Sequence, residues 1–215
     1  MTTFLSKFIS LFTFGKQEPK RRAQSFISSE EWERCGSMAD WPDLRGRDCF
    51  AGVDVGACGA PVCMALYFPA TVFDPICRVL VRYLSLYDGR EGLMSSVRRL
   101  ARLYSIKSVG FDPWSGMSIA LDLNDCGLIT VGIRQGFSSM NGPIQKLREL
   151  VLRCEIAHGG DLALRQAIRK FDVIISPSGM MCPTHLKDCG EVLALLNAIA
   201  IPTPSKLEEL SSAVR

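Results

Sequence analysis

GRDCFAGVDVG (residues 46–56), VCMALYFP (62–69) and CRVLVRYLSLY (77–87) follow one another with only short connections. Each is a short run rich in β-branched, aromatic and other apolar residues, bounded by Gly or Pro, which predicts a strand. Three strands in succession predict a β-meander. The first run carries Asp54 inside its apolar stretch, which makes it the place to look for chemistry as well as for the fold.

Downstream the pattern changes to alternating helix and strand. LMSSVRRLARLYSI (93–106) sets Leu93, Val97, Leu100 and Leu103 or Tyr104 on one helical face. SVGFDPW (108–114) is a short strand halted at Pro113, and GMSIALDLNDCG (116–127) a helix closed by Gly127. LITVGIRQG (128–136) is a strand. Gly142-Pro143 opens a third helix, PIQKLRELVLRCEIA (143–157), with the proline near its first turn. HGGDLALRQAIRK (158–170) is a loop and a short helix, FDVIIS (171–176) a strand, and EVLALLNAIAI (191–201) a final helix apolar enough to be buried. Strands first, then helix alternating with strand, predict an α/β architecture with a mixed sheet flanked by helices.

Upstream, FISSEEWERCGSMADWPDLR (26–45) reads as a linker helix and loop with Ser28 or Ser29 as N-cap. Residues 1–25 form a leader, amphipathic or poorly ordered: Phe4, Phe8, Leu11 and Phe12 fall near helical spacing, and Lys20, Arg21 and Arg22 follow. That charge order is the reverse of a signal peptide. The resulting organisation is leader 1–25, linker 26–45, main domain 46–203 and tail 204–215.

The composition, 47% hydrophobic and 22% charged over 215 residues, is that of a globular chain long enough to bury a core. A net charge of +3 does not announce a strongly basic nucleic-acid binder, though a local patch would serve. Nine cysteines in irregular spacing without a Cys-x-x-Cys pair, and only two histidines, argue against a disulfide framework and a zinc site. They predict reduced cysteines in a cytoplasmic protein. No apolar run is long enough to span a membrane. No G-x-x-x-x-G-K-[ST] loop is present, so no nucleotide cofactor is expected.

Two acids stand out by position. An ionised Asp54 inside a buried strand is costly unless it is paired or binds a cation. Asp112 ends another strand at Pro113. If the two strands are neighbours, roughly 5 Å apart, both carboxylates reach one divalent ion. A third acid beside the last helix, Asp188 or Glu191, would complete an oxygen-donor set for Mg²⁺ or Mn²⁺ of the kind that cleaves phosphodiesters. The structural alternatives are a turn residue for Asp54 and an Asp-Pro turn starter for Asp112.

Several segments, in order, resemble the nuclease half of the tailed-phage terminase large subunit. They are Trp32, GRDCFAGVDVG at 46–56, FDPWSG at 111–116, Arg134-Gln135-Gly136, SSMNGPIQKLRELVLRCEIAHGGDL at 138–162 and DCGEVLALLNA at 188–198. The resemblance implies an RNase H-like fold and a metal-dependent endonuclease that cuts concatemeric double-stranded DNA in the host bacterial cytoplasm. It implies Asp54, Asp112 and Asp188 as catalytic metal ligands, with Glu191 as the alternative third acid. His158, Gly159, Gly160 and Arg134 are implied to line the site or contact DNA; the alternative for His158 is a surface histidine in a glycine turn. Trp114 reads either as a DNA contact or, by preference, as a core aromatic. Implied partners are double-stranded DNA, a separate terminase ATPase chain, a small terminase subunit or a portal. The chain departs from the family pattern in GACGAP after Asp54, which lacks the usual hydroxyls and extra acid, and at Gln166 and Lys170. These departures leave open a catalytically weak or inactive prophage remnant that at most binds DNA or a partner.

Overall fold

The computed structural model describes residues 24–36, 41–56, 62–84, 89–184 and 188–202. The leader (apart from its last two residues), His185 and the tail beyond residue 202 lie outside them.

The three leading runs form the expected meander, β2 (Asp48–Val55), β3 (Val62–Phe68) and β4 (Cys77–Leu84), all antiparallel. On the far side of β2, β5 (Ser105–Phe111) adds in parallel, and β6 (Thr130–Gly132) adds in parallel to β5. A two-residue strand, β7 (Ile156–Ala157), pairs in parallel with β4, so the mixed six-stranded sheet runs β6-β5-β2-β3-β4-β7. A smaller antiparallel sheet, β1-β8-β9, joins β1 (Gln24–Ser25), β8 (Asp172–Ile175) and β9 (Met181–Thr184).

Strand alternation divides the core in two. Cys49, Ala51 and Val53 of β2, with Met64, Leu66 and Phe68 of β3, pack with α2 (Gly89–Leu103) and α3 (Met117–Asp125) through Leu93, Val97, Leu100, Ile119 and Leu123. The opposite face, carrying Phe50, Cys63, Ala65, Tyr67 and Val81, packs with α1 (Ser29–Glu33), α4 (Phe137–Leu152), α5 (Leu162–Lys170) and α6 (Gly190–Ile199). Cover on both faces explains why every residue of β3 is buried and why its sequence shows no polar alternation.

Helix α6 lies directly on the sheet because two glycines let it. Gly52 and Gly110 are register partners on β2 and β5. A Cβ on Gly52 would stand 1.9 Å from the Ala194 carbonyl oxygen, and one on Gly110 2.3 Å from that of Asn197. Asn197, fully buried in the apolar run of α6, donates from Nδ2 to the Val53 carbonyl at 2.9 Å and locks the helix to β2.

Three local expectations change. Helix α4 starts at Phe137, so Pro143 lies inside it and not near its first turn. The missing proline N–H is offset by anchoring of the first turns: Met140 is buried, and Asn141 Oδ1 accepts the Met181 N–H at 2.8 Å. The end of that run leaves the helix after Leu152, turns through Cys154 at φ 54° and becomes β7. FDVIIS is a strand, but it belongs to the small sheet, where β9 was not anticipated. Pro183 hides β9 in the sequence and is tolerated because β9 is an edge strand. At the other end Ser28 is the N-cap of α1, with a capping box to Glu31.

Candidate active site

Both Asp54 and Asp112 sit two residues after the paired glycines, in Gly52-Val53-Asp54 and Gly110-Phe111-Asp112. The side-chain period of two therefore turns both acids to the α6 face. Val53 pairs with Phe111, so the acids follow at the same level on adjacent parallel strands. The same level continues across the sheet: Asp54 pairs with Cys63 and Cys63 with Tyr83. A row Asp112–Asp54–Cys63–Tyr83 thus crosses four strands beneath the N-terminal end of α6.

That end brings in a further acid, Glu191. A Cβ on Gly190, the first residue of α6, would stand 3.1 Å from Asp54 Oδ2, so the glycine lets the carboxylate approach the helix N-terminus. Glu191 follows and accepts a hydrogen bond from the Tyr83 hydroxyl on Oε1. Burial pushes the Asp54 carboxyl up to about 6, and the negative charges of Asp112 and then Glu191 add to the shift. Burial, then the bond to Glu191, raises the Tyr83 phenol, which stays protonated as the donor.

These groups line a cleft of about 970 Å³ that also takes in Trp114, Ser115, Gln135, Gln166, Lys170 and Asp188. Among the described residues the lining carries four carboxylates and one ammonium, a balance that favours cations. Gln135 donates from Nε2 to Asn197 Oδ1 at 2.9 Å, while its own Oε1 is buried without a partner among the described residues. Asp112 also serves as a turn residue: its Oδ1 accepts the Trp114 N–H at 3.2 Å and its Oδ2 the Ser115 hydroxyl at 3.4 Å. Among the described residues no group of three or more His, Cys, Asp or Glu side chains is arranged to hold a metal ion as it stands.

Of the remaining candidates, Asp188 and Trp114 share the cleft, while His158, Gly159, Gly160 and Arg134 do not line it among the described residues. Asp188 lines the outer cleft with its side chain 76% exposed, its backbone at φ 59°, and Lys170 Nζ 3.6 Å from Oδ2. His158 is not a surface histidine and does not line the cleft. It is 2% exposed, its ring stacks on Trp32 at 4.2 Å, and its Nε2 lies 2.9 Å from the Trp32 carbonyl oxygen. Burial lowers its pKa. Gly159 and Gly160, at φ 59° and 71°, make the turn into α5, which Asp161 caps through the Leu164 N–H. Arg134 is exposed and also outside the cleft lining among the described residues. Trp114 is not a core aromatic: it is 96% exposed at the cleft edge. Tyr83, Cys63, Gln135 and Gly190 were not legible as site residues; their membership depends on strand register and on where α6 begins.

The fold is similar to that of solved structures. The large terminase of bacteriophage HK97 superposes with a TM-score of 0.70 at 20% identity, over 83% of this chain and 44% of that one. The large terminase nuclease from thermophilic phage G20c gives 0.59 at 16% identity, over 83% of this chain and 99% of that one. The same nuclease with bound magnesium gives 0.54 at 17% identity, over 73% and 84%. The fold is that of a large-terminase nuclease. It is the RNase H-like α/β fold expected from the sequence, and the chain spans less than half the length of the HK97 terminase, 44% of it. No protein-family model matches the chain, and no curated protein sequence matches it. Among the described residues no helix is long and apolar enough to cross a membrane.

Proposed function

We propose that this chain is a metal-dependent DNA endonuclease, the nuclease part of a phage DNA-packaging terminase large subunit that cuts concatemeric double-stranded DNA. One observation carries the reading: two Gly-x-Asp strand ends stand side by side on a terminase-nuclease fold, with Glu191 over them at the start of α6.

The donor set fits a hard divalent cation such as Mg²⁺ or Mn²⁺, since it is all carboxylate oxygen. Burial first, and then the charges of Asp112 and Glu191, disfavour the ionised Asp54, a cost that a bound cation would offset. Asp54, Asp112 and Glu191 would hold the ion, with Asp188 as the outer alternative to Glu191. When bound, the ion supplies the Lewis acidity that activates water and stabilises the leaving oxygen of a phosphodiester. The chain's own residues do the rest. Asp54 is fixed by strand pairing and by Gly190, Asp112 by its turn, and Lys170 offers a cation to a backbone phosphate at the cleft mouth. Double-stranded DNA is the substrate; a terminase ATPase chain, small subunit and portal are the partners this role implies.

The test is conversion of supercoiled plasmid to nicked and linear forms in Mg²⁺ or Mn²⁺. Cutting should vanish with EDTA and with Asp54→Ala. Cutting that survives both overturns the reading. A second reading, a DNA- or partner-binding prophage remnant without cutting activity, is favoured by the local engagement of both Asp112 oxygens. Wild-type chain that binds DNA but does not cut it in either metal would support that second reading.

A further inference from the structure

We propose that Tyr83 is the positioning residue for the third metal-binding acid, holding Glu191 by one carboxylate oxygen so that the other faces Asp54 and Asp112. The inference rests on the metal-dependent reading above.

The backbone argument comes first. Tyr83 lies in the same cross-strand row as Asp54, separated from it by Cys63 alone. The three residues therefore share one face of the sheet, and α6 begins over that face. Glu191 is the second residue of α6, in a first turn that carries no side-chain N-cap bond. A glutamate there has three side-chain torsions and, without a partner, many orientations into solvent. The Tyr83 hydroxyl removes that freedom by donating to Oε1. An ionised carboxylate has two oxygens and about four acceptor positions, so a single phenol bond leaves the second oxygen available.

The second argument is electrostatic. Glu191 is held toward two other acids, an arrangement that like charges oppose. A hydrogen bond that keeps a carboxylate near two others works against repulsion in the bare protein and toward a cation in the loaded one. Lys170 does not serve this purpose, since it lies against Asp188 at 3.6 Å. Metal ligands are commonly oriented by such hydrogen-bond donors, and losing one typically weakens affinity about 10- to 100-fold.

The third argument separates Tyr83 from a packing role. Tyr83 is 48% exposed, and its ring is not part of either core cluster. Phenylalanine therefore replaces it with no cavity and no buried orphan left in the core.

The experiment is a double-mutant cycle on Mn²⁺ affinity, read as the free-ion electron paramagnetic resonance signal, in the full chain. Wild type, Tyr83→Phe, Glu191→Gln and the double variant are titrated, with thermal melts in EDTA as a folding check. Tyr83→Phe should weaken binding about 10-fold. Glu191→Gln should weaken it at least as much, and the double variant should bind no more weakly than Glu191→Gln alone, because Tyr83 acts through Glu191. Unchanged affinity in Tyr83→Phe, or losses that multiply in the double variant, overturns the positioning role and leaves the metal reading standing. A wild-type chain with no saturable Mn²⁺ binding overturns both.

Discussion

Gly52 and Gly110 face each other across the parallel pair β2–β5, and the backbone of α6 fills the space where their side chains would be. Two acids of the cleft, Asp54 and Asp112, follow these glycines by two residues each. The close helix–sheet contact and the acid pair are thus one device: the glycines set the depth of α6, and α6 then delivers Glu191 over Asp54. Gly52→Ala has no flexible neighbour to yield, since the nearest atom is a backbone carbonyl oxygen at 1.9 Å. It should destabilise the fold by about 3 kcal/mol, at the upper end for overpacking, measured by urea unfolding. Gly136→Ala, with nothing within 4 Å of its added Cβ, is the control.

Asp54 makes stability depend on pH in a defined direction. Its folded pKa, about 6, lies above the usual carboxylate value of 3.8. The charged form is therefore disfavoured in the folded state, and stability falls as pH rises from about 4 through 6. At roughly 1.4 kcal/mol per pK unit, the full cost is at most about 3 kcal/mol. Asp54→Asn in EDTA should be more stable than wild type at pH 7.5, and the advantage should fade as pH drops below 4. An advantage that is flat across this range contradicts the account.

The choice of third acid is open to a direct comparison. Glu191→Gln should reduce plasmid cutting at least 100-fold, in the range seen when catalytic electrostatics are removed. Asp188→Ala should cost less than tenfold, since that carboxylate is exposed and, among the described residues, paired with Lys170 at 3.6 Å. The reverse ranking would assign the role to Asp188.

Trp114 and Trp32 should separate cleanly. Trp114→Ala should leave the urea midpoint within about 0.5 kcal/mol of wild type, as a surface substitution does. Trp32→Ala, at 1% exposure and stacked on His158, should cost about 3–5 kcal/mol. If Trp114 contacts DNA, its exposed indole should also dominate any fluorescence quenching on adding duplex.

Much of the fold was legible because its periods are local. The meander, the amphipathic face of α2 and the apolar α6 are each written in a single run of residues. What was not legible depends on partners distant in sequence. Strand β9 carries Pro183 and is a strand only because β8 lies beside it. Strand β7 continues the chain of α4 and is visible only against β4. In the cleft, Asp54 and Asp112 stood out because a carboxylate inside or just beyond an apolar strand needs a reason. By resemblance the sequence puts Asp188 ahead of Glu191, three residues on; we propose the reverse order on two features that no local pattern shows, the αL backbone at Asp188 and the hydroxyl of Tyr83. The histidine motif misled for a related reason. A His followed by two glycines looks the same whether the ring faces a cleft or, as here, the indole of Trp32.

The central claim is that Asp54, Asp112 and Glu191 share a divalent cation at the ends of β2 and β5. Anomalous scattering from crystals soaked in Mn²⁺ tests it most directly. The account predicts a peak in the cleft bound by Asp54 and Asp112, with Glu191 as the third protein ligand and Asp188 still directed at Lys170. Peaks confined to the protein surface, with none touching Asp54, would contradict it.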